Sequence, residues 1–311
     1  MSFKEKLKGK DLLTLADYTK AEIAYILELA DQIKQKRKNG EIYQPLKGKT
    51  LGMIFEKSST RTRVSFEAGI YQLGGTGLFL SSNDIQIGRG EPISDTAKVL
   101  SGYLDGIMIR TFSQKDVEDL AENATIPVIN GLTDDYHPCQ VLADLQTIKE
   151  NKGKLEGLKL AYIGDGNNMA HSLMIGCAKM GLHVAIAAPK DYQPKTEITE
   201  LAQSFAEGTE ILVTEDPFEA VKDADIIYSD VWASMGQEAE QREREEAFAT
   251  YQVNTELFSY ANADAIFMHC LPAHRGEEVT SEIIDGPKSV VFQEAENRLH
   301  AQKALMVALM G

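Results

Sequence analysis

The apolar positions of the chain follow two spacings that alternate. Near-continuous apolar runs of strand length stand at residues 50–55, 76–80, 106–109, 126–130, 158–163, 183–187, 210–214, 225–229, 264–268 and 289–292. Between them apolar residues recur three and four apart, the spacing of one helix face. Ile23, Ile26, Leu27, Ala30 and Ile33 share such a face within 12–38, a stretch that Asn39-Gly40 ends. Further helices are predicted at 64–73, 94–103, 117–122, 138–152, 169–180 and 294–309. The alternation of strand and helix is the mark of a parallel sheet covered on both faces. The pattern predicts an α/β chain of two doubly wound parallel-sheet domains with an active-site cleft between them. The boundary is expected at Asn151-Lys152-Gly153-Lys154, giving domains 1–150 and 151–293, with the last helix, 294–311, packing back on the first. The charged run 238–248 reads as a solvated helix face with no chemistry in it.

In doubly wound folds, ligands sit at the carboxyl ends of the strands. That rule selects Arg110, His137 with Gln140, Asn167 with Asn168, Asp230, and His269-Cys270-Leu271-Pro272, each of which follows a predicted strand. Between the run 50–55 and the next helix lies Ser58-Ser59-Thr60-Arg61-Thr62-Arg63. Such a turn aims backbone N–H groups and the positive end of a helix dipole at one point. Two arginines in that first turn oppose the dipole unless an anion is present. The turn therefore predicts an oxyanion cradle, and a phosphate fits it best. The loop 81–92, with Gln86, Gly88 and Gly90, is long for a connector, and such loops often carry function.

Two other readings use the same residues. Gly164-Asp165-Gly166 after a strand suggests a dinucleotide turn and a nicotinamide-dependent oxidoreductase. Met169 stands at the third glycine position, however, and the following strand ends on Ala187-Ala188 without an acid for a ribose. A zinc reading of His137 with Cys139, or of His269, Cys270 and His274, lacks the usual ligand spacings.

Composition narrows the class. A chain of 311 residues suits two domains, and 43% hydrophobic residues supply a core for each. No run of about 18 apolar residues occurs to span a membrane. The first residues are charged and lack the apolar stretch of a signal peptide. The 3 cysteines, Cys139, Cys177 and Cys270, argue against a disulfide framework and for the cytoplasm. A net charge of -15 disfavours nucleic acid, and any anionic substrate must meet a local positive pocket.

Taken in order, Ser59 to Arg63, Arg110-Thr111, His137 to Gln140, Ser234 to Gly236 and His269 to Pro272 resemble the aspartate/ornithine carbamoyltransferases. The resemblance extends to the stretch Glu296 to Lys303 in the last helix. Cys139, the stretch from Asp230 through Ser234-Met235-Gly236, and Cys270 resemble the ornithine branch. The aspartate branch carries His-Pro-Thr-Gln, and both it and the putrescine branch lack the Ser-Met-Gly loop. The resemblance implies transfer of a carbamoyl group from carbamoyl phosphate to the side-chain amine of L-ornithine, with no metal and no organic cofactor. Putrescine is the alternative acceptor. It further implies that Ser59, Thr60, Arg61 and Thr62 cradle the phosphate with Arg110. Gln86 would reach it from a neighbouring subunit of a homotrimer. Thr62, Arg110, His137 and Arg298 would face the carbonyl oxygen. Gln140 and the backbone carbonyls of Cys270 and Leu271 would accept from the NH2 group. Asn168, Ser234 and the Met235 backbone would hold the amino-acid head of ornithine, and Asp230 and Cys270 its amines. Neither nucleic acid nor membrane is expected as a partner.

Overall fold

The first sheet contains β1 (Thr50–Phe55), β2 (Thr76–Ser81), β3 (Gly106–Arg110) and β4 (Val128–Leu132), all parallel, in the order β2-β1-β3-β4. The second contains β5 (Lys159–Ile163), β6 (His183–Ala187), β7 (Ile211–Thr214), β8 (Ile226–Ser229) and β9 (Ile266–His269), also parallel, in the order β7-β6-β5-β8-β9. This is a computed structural model, and it describes residues 2–234 and 238–311. The chain divides into two units, one of Met1–Gln146 with Glu296–Gly311 and one of Thr147–Ala295. Each unit holds one of the sheets.

Helices cover the sheets, so the central strands are buried along their length. Leu51, Met53, Ile54, Ile107, Met108 and Ile109 are buried in the first sheet, and Leu160, Tyr162, Ile163, Ile226, Ile227 and Tyr228 in the second. Unbroken apolar runs are what such strands require. β2, at an edge of its sheet, differs in leaving Leu78 and Phe79 exposed. In each sheet the order reverses once, between β1 and β3 and between β5 and β8. Doubly wound folds place ligands at the carboxyl ends of the strands beside that reversal.

The helices Thr60–Gln72 and Val291–Met310 approach closely within the first unit at Gly69, where a Cβ would lie 3.0 Å from Met306 Cε and 3.2 Å from Lys303 Cγ. Among the described residues, no helix is long and apolar enough to cross a membrane.

Two elements depart from expectation. The first long helix begins at Lys20, not Leu12. Leu12 instead bridges to Ile129 beside β4, with its N–H donating to Val128 O at 2.9 Å and its carbonyl accepting from Asn130 N at 2.8 Å. Thr19 starts the helix through a capping box with Glu22. The expected strand at 289–292 does not form: Ser289 makes one isolated bridge to Phe267, and Val291 already opens the last helix.

Candidate active site

At the reversal in the first sheet, β1 leads into the Thr60–Gln72 helix. Ser59 caps that helix in an extended conformation, its hydroxyl accepting from Thr62 N–H at 3.1 Å. The first turn carries no acid. Its remaining N–H groups, the Thr60 hydroxyl and the half-buried Arg61 are therefore available to an anion. β3 brings in buried Arg110, and the start of the Pro138–Lys152 helix brings buried His137 and Gln140.

Arg298, on the last helix, ties this cluster together. It is 2% exposed, and its guanidinium reaches three acceptors. Nη1 donates to Gln140 Oε1 at 2.7 Å, Nη2 to Thr62 Oγ1 at 3.2 Å, and Nε to Gln302 Oε1 at 2.9 Å. Gln140 Nε2 donates onward to Asp144 Oδ1 at 2.9 Å, and Gln302 Nε2 to Ser65 Oγ at 2.6 Å. A planar fork suits this task where a single ammonium would not.

Burial holds the His137 imidazole well below the usual histidine range, and Arg298, Arg110 and Arg61 reinforce the effect. Because protonation is resisted in the folded state, His137 favours folding fully above about pH 6.5, and that contribution is lost as pH falls below it. His137→Asn should therefore leave the shape of anion binding at this cluster against pH unchanged from pH about 6.5 to 9. A changed shape would reveal a titrating His137. Cys139 is buried and donates to Asn130 O at 3.4 Å. Burial pushes its thiol up to about 12, so it is inert packing.

In the second unit, Asn167 caps the Asn168–Met180 helix, accepting from Met169 N–H at 2.9 Å and Ala170 N–H at 3.4 Å. Its Nδ2 donates to Asp230 Oδ2 at 3.1 Å. Asp230 Oδ1 accepts from Val231 N–H at 2.8 Å and from Cys270 Sγ at 3.0 Å. The reversal point thus presents a buried carboxylate held by donors from three segments.

Two buried acids fix the loop after β9. His269 Nδ1 accepts from Leu271 N–H at 2.9 Å, which puts the ring proton on Nε2, 3.1 Å from Glu278 Oε1. Glu278 Oε1 also accepts from His274 N–H at 2.6 Å, and Glu294 Oε2 from His269 N–H at 2.9 Å. These bonds hold Leu271 at φ 57, a left-handed conformation uncommon outside glycine and typical of functional sites. Ligand atoms of Asp230, His269 and Cys270 do lie within 4.8 Å of one another. Both His269 ring nitrogens are engaged, however, so the zinc reading fails there.

The dinucleotide reading fails as well. A Cβ on Gly166 would lie 2.2 Å from Pro194 N, so the space that glycine leaves is filled by the chain's own backbone. Asn168 opens its helix and Ser234 follows β8 by a few residues, both half-buried, while Met235 lies outside the described residues. Gln86 is exposed in a short helical turn, Gln86–Arg89, and makes no hydrogen bond to the cradle.

The charged run held one surprise. Arg244 in the Gln241–Phe248 helix is 6% exposed, not solvated. Its Nη1 donates to Asp165 Oδ2 at 2.9 Å and to Trp232 O at 3.0 Å, and its Nε to Glu240 Oε2 at 3.0 Å. Burial pushes the Asp165 carboxyl up to about 6, against the pull of Arg244. Arg244 thereby ties the turn after β5 to the segment leading from Asp230 to Ser234. Nothing local in the sequence marked it, because Asp165 is far away along the chain.

Both halves of the chain match known proteins. Residues 10–150 match the carbamoyl-P binding domain of aspartate/ornithine carbamoyltransferases, and residues 156–309 match their Asp/Orn binding domain. An ornithine carbamoyltransferase of Oceanobacillus iheyensis is 70% identical, covering 99% of this chain and 96% of its own length. One from Bacillus subtilis is 64% identical over 98% of this chain and 95% of its own. The solved ornithine carbamoyltransferase from Pyrococcus furiosus superposes with a TM-score of 0.96 at 56% identity, covering 98% of each chain. The chain belongs to the aspartate/ornithine carbamoyltransferase family and is an enzyme of the carbamoyltransferase class.

Proposed function

We propose that the chain transfers the carbamoyl group of carbamoyl phosphate to the side-chain amine of L-ornithine, giving L-citrulline and phosphate. The observation that carries this reading is the gathering of Arg61, Arg110 and Arg298 around a neutral His137, beside a helix start without an acid. Ser59, Thr60, Arg61 and Thr62 take the phosphate with Arg110. Thr62, Arg110, His137 and Arg298 face the carbonyl oxygen, which gains charge as the amine attacks. Gln140 and the carbonyls of Cys270 and Leu271 accept from the NH2 group. Asn168, Ser234 and Met235 hold the amino-acid head. The high identity to relatives named for ornithine favours that acceptor over putrescine or aspartate.

The attacking amine must be neutral. A lysine-like amine with a pKa of about 10.4 loses its proton at pH 7 at a cost of about 4–5 kcal/mol. Asp230 binds the incoming ammonium and does not ease that loss. The Cys270 thiol donates to Asp230, and its thiolate would stand 3.0 Å from a carboxylate. The departing phosphate is therefore the better proton acceptor. The reading is tested by citrulline formation with ornithine, putrescine and aspartate offered side by side.

A homotrimer built through the first unit fits the same reading. Leu78 and Phe79 on edge strand β2 and Val64 on the adjacent helix are exposed apolar side chains, and Gln86 would act in the neighbour's site. Light scattering should give three times the chain mass, and a monomer at working concentration would remove Gln86 as a ligand. The cytoplasm suits a chain with so few cysteines.

A further inference from the structure

A second positive site lies in the first unit. The Lys20–Lys38 helix, the loop after it, and the Thr60–Gln72 and Val291–Met310 helices line a cavity of about 560 Å³ that is open to solvent. Ile33, Arg37, Tyr43, Tyr71, Gln72 and Lys303 are among its lining residues. Lys303 belongs to the Glu296-to-Lys303 stretch, yet nothing in the proposed reaction uses it.

The charge in this cavity is not balanced by the chain. Lys303 is 5% exposed, and its ammonium makes a single hydrogen bond among the described residues, to Gln72 Oε1 at 3.0 Å. Arg37 Nη1 donates to that same oxygen at 3.0 Å. Two cations thus share one neutral acceptor. The lining contains one acid, Glu41, and its carboxylate is occupied by Lys36 Nζ at 3.1 Å and Asn39 Nδ2 at 3.0 Å. With Lys36 cancelled by Glu41, two positive charges are left, in a chain whose net charge is -15. Burial and the neighbouring Arg37 bring the Lys303 ammonium down to about 8, which marks the strain of this arrangement. A buried ammonium usually has a carboxylate partner. Here the missing partner is a dianion by charge count, and the arginine fork with a lysine point charge is the pairing that phosphate oxygens take.

We infer that this cavity binds a phosphate-bearing anion, as a site separate from the Ser59–Thr62 cradle. The inference draws on the proposed function only in naming the cradle as the competing phosphate site. The experiment separates the two by measuring the rise of Tm with inorganic phosphate at constant ionic strength. A ligand that binds only the folded state raises stability by RT ln(1 + L/Kd), where L is the free ligand concentration. Wild type should show the rise, and Arg61→Ala, which weakens the cradle, should keep part of it. Adding Lys303→Met to Arg61→Ala should abolish the remainder. Should that pair fold poorly, Arg37→Ala in the Arg61→Ala background alters an exposed side chain, and phosphate affinity should fall at least tenfold. A rise lost entirely in Arg61→Ala, or kept undiminished when Lys303 or Arg37 is also changed, would overturn the site. A rise that Arg61→Ala does not reduce, but Lys303→Met does, would keep this site and count against the cradle. Light scattering on Lys303→Met should show an unchanged assembly. Dissociation would assign Lys303 to a subunit contact and overturn the inference.

Discussion

Arg298→Ala is expected to lower kcat/KM for carbamoyl phosphate by about a hundredfold or more. Loss of one well-placed donor at a developing oxyanion costs about 2.7–4 kcal/mol, or about 10²–10³ in rate. Arg298 is more than a donor, because it also orients Gln140, Thr62 and Gln302 through bonds of 2.7, 3.2 and 2.9 Å. Its removal leaves three buried acceptors without that partner and lets the Thr62 hydroxyl turn away. Arg298→Lys separates charge from shape. The ammonium keeps the field but cannot span acceptors on three helices, so recovery should be partial. Steady-state kinetics and calorimetric binding of carbamoyl phosphate check the expectation, with circular dichroism to confirm folding. An alanine variant within tenfold of wild type would mean that Arg298 is structural.

The second large effect separates ornithine from putrescine. The two differ by the α-carboxylate, and only a site with donors for that group can tell them apart. Asn168, at the first turn of its helix, and Ser234 are the described candidates. The capping Asn167 already satisfies the N–H groups of Met169 and Ala170. The carboxylate must therefore be read largely by side chains and by the segment after Asp230. Each buried donor left facing nothing costs about 1–3 kcal/mol. Ser234→Ala with Asn168→Ala should lower kcat/KM for ornithine by about 30-fold to 10⁴-fold on that cost. Putrescine turnover should change little, and carbamoyl phosphate affinity should be retained. A proportional loss with both amines would show that these residues do not read the head group.

The parts of the fold that were legible in the sequence share one property: their signal is local. Runs such as Thr50–Phe55 and His183–Ala187 carry no polar residue after the first because helices bury both faces, and they form strands with the expected bounds. The stretch before Lys20 misleads because Leu12, Leu13 and Leu15 fit helical spacing. The capping box at Thr19 and Glu22 was the signal that fixes the true start. At 289–292 the β-branched pair Val290 and Val291 reads as a strand, but the chain turns into the last helix after a single bridge. The candidate site follows the same division. Strand ends could be read one by one, since each polar residue follows its own apolar run. What joins them could not. Arg244 with Asp165, Glu278 with His269, and Arg298 with Thr62 are pairs set by folding, and no spacing in the sequence announces them.

Acceptor choice is tested most directly by competition. Purified wild-type protein should be given carbamoyl phosphate labelled in the carbamoyl carbon, with equal concentrations of L-ornithine, putrescine and L-aspartate. Chromatography then counts label in each carbamoylated product. Label is expected in citrulline, with the putrescine and aspartate products lower by several decades. Comparable label in carbamoyl-putrescine, or a majority in carbamoyl-aspartate, would contradict it.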